Sequence, residues 1–384
     1  MKNKKLFWIF ALSSAVYFTQ GIEGLPAQGL FYYLKETLNF SPEKIMFIGS
    51  LTTFAWLVKP LIGYLIDHLF SKRVWIFISL ALDIVFVLFL GLVQMPLFIL
   101  VVLLIINSGN AAFRDVAVDG IMCVEGKRYQ ATGKIQSIQW VSILIAGLFT
   151  GLGGAFIAEK WGYQVGFLCL VPVYLLVGLP AYFYQEEKIE QEDLPWVTLF
   201  TDLKRLFSDK KILTIGLFIF LYKYSPSFGT PLFFIQRDSF KWSKMWIGTL
   251  GTISTVFGVI GALLYYRFSQ RIDIKKWLYY SVLLGGMTTL SYLYYTPQTA
   301  VAYDVIYSFL GMFIFLMVMD FMARHSVRGL EATSFALLCS INNLSGVASN
   351  LSGAFLLPLL GLKWLIVLSA LTSLLCLFLI NKLE

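Results

Sequence analysis

The feature that most constrains this chain is a series of apolar runs, each about 20 residues long, that recurs from one end of the sequence to the other. At 1.5 Å of rise per residue, a helical run of that length crosses a hydrocarbon core of roughly 30 Å. Composition closes off the soluble alternative. The 384 residues are 58% hydrophobic and only 14% charged, too few charges to coat a globule. Inside a bilayer every backbone N–H and C=O must be satisfied within the segment, so runs of this length are expected as helices. The expected class is therefore an all-α polytopic membrane protein, with spans near 6–34, 43–69, 74–93, 97–122, 131–157, 164–184, 212–235, 244–268, 277–295, 299–323, 330–357 and 363–381.

Charge fixes the expected orientation. Met1-Lys2-Asn3-Lys4-Lys5 imitates the start of a signal peptide, but the apolar run continues past Leu34 with no A-x-A site, so it reads as an uncleaved first span. With that end inside, the inner connections hold 20 Lys+Arg and the outer ones 7, which sets both termini in the cytoplasm. The net charge of +8 follows from the same bias and does not call for nucleic acid. A bacterial inner membrane is the expected location, with a monomer as the working unit and lipid as the surrounding partner.

One long polar stretch, 185–211, interrupts the array. It opens with Gln185-Glu186-Glu187-Lys188-Ile189-Glu190, then places Trp196, Leu199, Phe200, Leu203, Leu206 and Phe207 at 3–4 spacing with basic residues between them. That pattern predicts an amphipathic helix on the inner membrane surface. Six spans precede it and six follow. The two sets repeat: Asp119 stands eleven residues before Gln130-Ala131-Thr132, and Asp320 eleven before Glu331-Ala332-Thr333. Leu38-Asn39-Phe40-Ser41 parallels Phe240-Lys241-Trp242-Ser243, and Ser71-Lys72-Arg73 parallels Ser269-Gln270-Arg271. An even number of spans per repeat gives both halves the same orientation. Residues 1–184 and 212–384 are thus expected as two pseudo-symmetric six-helix bundles joined by 185–211. Twelve transmembrane helices so arranged describe the major facilitator fold, in which cargo sits near the midplane and access alternates between the two sides.

Gly63-Tyr64-Leu65-Ile66-Asp67, followed by Ser71-Lys72-Arg73, resembles the major facilitator signature G-x-x-x-D-x-x-x-[GS]-[RK]-[RK]. Glycine permits close helix approach, while a carboxylate beside a basic pair can hold a gate closed in one state and release it in another. Asp67, Lys72 and Arg73 are the gate candidates. Asp119 and Asp320 join them because they hold matching places near the inner ends of their helices, with Arg324 one turn beyond Asp320.

Nine ionisable residues fall within spans: Glu23, Lys59, Asp83, Arg114, Asp115, Asp119, Lys223, Asp304 and Asp320. Each costs about 2.5–3.5 kcal/mol in hydrocarbon even on a lenient scale, so they must face a polar cavity or one another. Lys59, Asp83 and Arg114 share one depth, and Arg114 is expected to turn toward Asp83 or the cavity. Asp115 and Asp119, four apart, share a helix face. Glu23 lies in Gln20-Gly21-Ile22-Glu23-Gly24-Leu25-Pro26, a stretch weakened by glycine and proline, and is the first candidate for a proton carrier. Lys223 belongs to the equivalent seventh span. Gln136, Gln139 and Trp140 share a face of span five, and Asn342 and Asn343 mark span eleven. These polar residues either line the pathway or only join helices.

A family resemblance enters on specific residues. Tyr17-Phe18-Thr19-Gln20-Gly21, then Tyr33-Leu34-Lys35-Glu36 and Ser41-Pro42, looks like the opening of the folate–biopterin transporter family. Trp56-Leu57-Val58-Lys59-Pro60-Leu61-Ile62-Gly63 through Asp67 is similar to that family's W-x-x-K-P-x-x-G-x-x-x-D segment, and Asp115-Val116-Ala117-Val118-Asp119-Gly120 to its D-V-x-V-D run. Gln136-Ser137-Ile138-Gln139-Trp140 resembles its next span. The resemblance implies proton-coupled symport of a folate or pterin, an organic anion whose carboxylates Lys59, Arg114 and Lys223 could meet. A related D-V-x-x-D region in muropeptide permeases keeps a different cargo (muropeptide, sugar or drug) open, and a non-transporting receptor is a further alternative.

An enzyme is not expected. His68 and His325 both sit at inner helix ends, and no H-E-x-x-H or G-x-S-x-G constellation occurs. Cys123, Cys169, Cys339 and Cys376 fall in apolar stretches without metal spacing. No metal and no cofactor are expected.

Overall fold

The computed structural model describes residues 2–40, 48, 51–52, 56–186, 201, 204–206, 208–242 and 244–380. Most of the amphipathic stretch expected within 185–211, and the first part of the second span, lie outside these residues. The described chain is almost wholly helical and forms two compact units. The first comprises residues 1–194 with 326–336, and the second 195–325 with 337–384.

In the first unit the helices are α1 (Lys2–Ile22), α2 (Ala27–Tyr32), α3 (Lys59–His68), α4 (Lys72–Leu92), α5 (Leu97–Arg128), α6 (Thr132–Lys160), α7 (Gly162–Leu168) and α8 (Leu170–Phe183). The second holds α9 (Lys210–Lys223), α10 (Gly229–Phe234), α11 (Lys244–Phe268), α12 (Ile274–Ser291), α13 (Pro297–Arg324) and α15 (Leu377–Ile380). Helix α14 (Glu331–Leu374) begins in the first unit and continues into the second. Among the described residues, seven stretches are long and apolar enough to cross a membrane unaided, from Lys72–Leu92 to Phe355–Ile380. Of the other expected crossings, the first and seventh are interrupted near a proline, and the second lies partly outside the described residues.

Three expected spans differ from continuous helices. The first breaks at 23–26, where Gly24, Leu25 and Ala27 donate to carbonyls three residues back, tightening the turn before Pro26. The sixth breaks at Cys169. The seventh breaks at 224–228, around Pro226. There the freed backbone finds partners on α14: Ser225 N–H donates to Ser349 Oγ at 3.2 Å, and Ser227 N–H to the Ser349 carbonyl at 2.9 Å. Ser369 Oγ donates to the Pro226 carbonyl at 2.5 Å. A broken helix in a membrane is tolerated where neighbours re-satisfy it in this way. The eleventh and twelfth spans meet at Gly361, whose φ of 71° breaks the helical path just after Pro358.

The repeat legible in the sequence is also present in the backbone. The breaks in the first and seventh spans are each followed by six helical residues and a five-residue π segment, Tyr33–Thr37 in one unit and Ile235–Ser239 in the other. Asn39 and Lys241 then take left-handed φ values of 52° and 57°. Phe40 N–H closes on the Leu34 carbonyl at 3.0 Å, as Trp242 N–H closes on that of Gln236 at 3.0 Å. One pairing slips. Ser71 caps α4 by accepting from Val74 N–H, and the residue that caps α12 is Asp273, not Ser269.

The glycines of α6 differ in what they touch. A Cβ at Gly147 or Gly151 would meet nothing, whereas one at Gly154 would lie 3.1 Å from the Leu25 carbonyl. The tightest approach to α6 comes from α1, where a Cβ on Gly21 would lie 2.6 Å from the Ile143 carbonyl.

Candidate functional site

The first unit gathers most of the intramembrane charge into one buried network on α5. Its wheel explains the arrangement. Asn110 and Arg114, four apart, share one face, and Asp115 and Asp119 share another. Arg114 is fully buried and forms ion pairs with both Asp83 on α4 and Glu23 at the break after α1. The other Asp83 oxygen accepts from Asn110 Nδ2 at 2.7 Å. Tyr174 on α8 donates to Glu23 Oε1 at 3.0 Å, and its ring centroid lies 5.3 Å from the guanidinium carbon. One guanidinium is thus shared by two carboxylates. Glu23 is the accessible partner, with 18% of its side chain exposed against none for Asp83 and Arg114.

On the second face, Lys59 of α3 pairs with Asp115 Oδ2 at 2.5 Å and sits 4.5 Å from the centroid of the Trp56 ring. Gln20 of α1 donates to Asp115 Oδ1 at 2.5 Å. One turn on, Asp119 accepts from Tyr17 Oη at 2.9 Å and from Gln139 Nε2 at 3.3 Å. Trp140 packs edge-on to Tyr17. Gln136 is fully buried beside Met122, and the carbonyl oxygens of Gln136 and Gln139 have no hydrogen-bond partner. The network sets four carboxylates (Glu23, Asp83, Asp115, Asp119) against two cations (Lys59, Arg114). Both cations are already engaged.

The signature segment builds a second site. Asp67 accepts from Thr333 N–H and Thr333 Oγ1, both at 2.8 Å, and from Ala332 N–H at 3.2 Å. It therefore caps the N-terminus of α14, where orphan N–H groups and the helix dipole favour an anion. Lys72 Nζ lies 3.3 Å from the same carboxylate. Two glycines make room. A Cβ on Gly63 would lie 2.7 Å from Thr333 Cα, and one on Gly120 would lie 2.7 Å from Lys72 Cε. Arg73 does not join this cluster. Its guanidinium caps the end of α8 at the Ala181 and Tyr182 carbonyls, 2.8 and 2.6 Å away.

The remaining candidates lie in the second unit. Asp320 accepts from Tyr265 Oη at 2.8 Å and from Arg324, which closes on the Ser269 carbonyl at 3.2 Å. Lys223 and Asn343 are exposed, and Asn342 is half-buried. Both histidines bond back through Nδ1 to the carbonyl four residues earlier, His68 to Tyr64 and His325 to Phe321.

Sequence reasoning missed Tyr174 and Thr333. No spacing marks Tyr174, since nothing along the chain tells which helix packs beside Arg114. Asn110 could have been found, because it stands one turn before Arg114 on the same face.

Residues 20–383 match the model of the BT1 family. The chain is 26% identical over 375 residues to the "Folate-biopterin transporter" of Synechocystis sp., covering 92% of this chain and 76% of that one. It is 24% identical over 440 residues to "Probable folate-biopterin transporter 4" of Arabidopsis thaliana, covering 93% and 89%. Among solved structures, the outward conformation of the major facilitator transporter FucP superposes with a TM-score of 0.76 over 98% of both chains at 14% identity. That likeness shows the major facilitator fold.

Proposed function

Because this chain belongs to the BT1 family, an integral-membrane carrier family and not an enzyme family, we propose that it is a proton-coupled symporter that takes up a folate- or pterin-like organic anion by alternating access. The single observation that carries the coupling is Arg114 held between Glu23 and Asp83. Two carboxylates on one guanidinium leave one negative charge in excess. A proton delivered to Glu23, the accessible member, removes that charge and loosens its hold on Arg114. The freed face of the guanidinium then offers a carboxylate of the cargo a bidentate partner. Proton and anion thereby depend on the same group, which is what coupling requires. Lys59 is held by one oxygen of Asp115, whose other oxygen accepts from Gln20.

The cap of Asp67 on α14 supports a gate reading for Asp67 and Lys72, since a carboxylate on a helix N-terminus is a contact that can be made in one state and lost in the other. Asp320 with Arg324 serves as a structural latch within the second unit. With both termini in the cytoplasm of a bacterial cell, this gate faces inward. The named relatives support folate or biopterin as cargo.

The test is Glu23→Gln in proteoliposomes. The variant should lose accumulation of labelled folic acid driven by a pH gradient while retaining folic acid counterflow. Retained gradient-driven accumulation in a folded variant removes Glu23 as the proton carrier. Absence of counterflow by the unaltered chain removes the folate assignment.

A further inference from the structure

The first unit carries a cavity of about 660 Å³ that the charge network does not use. It lies at the end of the unit away from Asp67: α4 runs from Lys72 beside Asp67 to Leu92, and the connection after it, Gln94 to Pro96, forms one wall. The opposite wall comes from α2 with the π segment and from the start of α7. These walls meet where Gly29 lets α2 touch α7, since a Cβ there would lie 2.8 Å from Tyr163 Cα. Gly162, with φ of 75°, turns the chain into α7 at the rim.

Its lining has a definite chemistry. Tyr32, Tyr33 and Tyr163 supply ring faces and hydroxyls, and Gln94, Gln164 and Thr37 supply donors and acceptors. The Tyr33 and Tyr163 centroids are 4.9 Å apart, with their planes inclined at 46°. Among the described side chains, no lining residue is charged. The repeat supplies a control. In the second unit the connection before α13 puts Tyr295 against the equivalent π segment, where its hydroxyl accepts from Gln236 at 2.8 Å and its ring lies 5.5 Å from Phe240. The first unit offers Gln94 and Met95 at that connection instead. The cavity is therefore not a requirement of the fold.

We propose that this tyrosine- and amide-lined cavity is a peripheral binding site for a flat, uncharged, hydrogen-bonding heterocycle, the pterin end of the cargo, distinct from the charged network that would take its carboxylates. The size lies within the roughly 300–1,000 Å³ typical of ligand pockets. Stacking faces with amide and hydroxyl groups at the edge recognise a planar base through its faces and its rim, as in proteins that bind single nucleotides. The described lining offers ring faces, amides and hydroxyls, which suit the ring and not the anionic tail. With the termini inside, the cavity opens outward, where cargo arrives. This inference rests on the pterin reading for its ligand.

The test is equilibrium binding of biopterin, which has the ring and no carboxylate, to the solubilised full chain. Tyr33→Ala with Tyr163→Ala should weaken binding about tenfold, the scale of lost aromatic stacking. Tyr33→Phe, which keeps the ring face and loses only a hydroxyl, should weaken binding less than the double alanine variant. Should the alanine variant fail to fold, Gln94→Ala at an exposed position gives the same comparison through lost hydrogen bonding. Equal affinity in all variants, or no biopterin binding by the unaltered chain, overturns the proposal. Folic acid counterflow in the unaltered chain is a separate readout: its absence alongside variant-sensitive biopterin binding rejects the transport reading and leaves the site standing.

Discussion

Gly63→Ala should open the contact between α3 and the start of α14, and the size of the effect follows from distances already given. The new Cβ would lie 2.7 Å from Thr333 Cα and 2.8 Å from the Ala332 carbonyl. Carbon contacts settle near ~3.5–4.0 Å, so the backbones must part by roughly 0.8 Å or more. Asp67 stands one turn beyond Gly63 on the same face. Its two bonds to Thr333, now 2.8 Å, would stretch to about 3.6 Å, past the hydrogen-bond limit. Each bond to a charged group contributes ~1.5–3 kcal/mol, so losing both costs about 3 kcal/mol or more. Water is a poor substitute there, because the Asp67 side chain is only 1% exposed. At ~1.4 kcal/mol per tenfold, the capped arrangement should lose roughly a hundredfold in population. The assay is maleimide labelling of Ala336→Cys, one turn along α14 from Thr333 at a buried position that leaves both Asp67 bonds in place. It should be protected when paired with Gly147→Ala, whose Cβ meets nothing, and labelled when paired with Gly63→Ala. Equal protection in the two backgrounds refutes the argument.

Two other perturbations test the buried network and the helix break. Lys59→Met alone should lower the thermal midpoint sharply, by about 3–5 kcal/mol of stability, because it strands Asp115. Adding Asp115→Asn should recover most of that loss, and a double variant no better than the single one rejects the pairing as the cause. Gly361→Ala should cost roughly 1–3 kcal/mol, because φ of 71° with ψ of 165° is a region essentially confined to glycine, while Gly311→Ala, which also meets nothing but sits inside a helix, should raise the same melt slightly.

The sequence by itself determined the class, the repeat and the identity of the charged residues. Apolar runs in a chain with 14% charge leave only membrane-spanning helices, because unpaired backbone is not tolerated in hydrocarbon. The parallel of Leu38-Asn39-Phe40 with Phe240-Lys241-Trp242 was legible, and the structure adds that Asn39 and Lys241 both turn left-handed after a π segment. The glycine and proline around Glu23 pointed to a weak helix, and the helix breaks there.

Partnership was decided only in three dimensions. Asp83 could be paired with Arg114 from depth along the spans, but depth says nothing about rotation of neighbouring helices, so Glu23 and Tyr174 could not be assigned to the same guanidinium. Lys72 and Arg73 are adjacent in the signature, yet consecutive helical positions point about 100° apart, and one meets Asp67 while the other caps α8. Gly147, Gly151, Gly153 and Gly154 stand close together on α6, and only the packing of Leu25 separates the last two, where a Cβ would find a contact, from the first two, where it would not. A side chain's type and its position along a helix are written in the chain. Which surface it meets depends on how the helices pack, and that is settled by contacts between residues far apart in sequence.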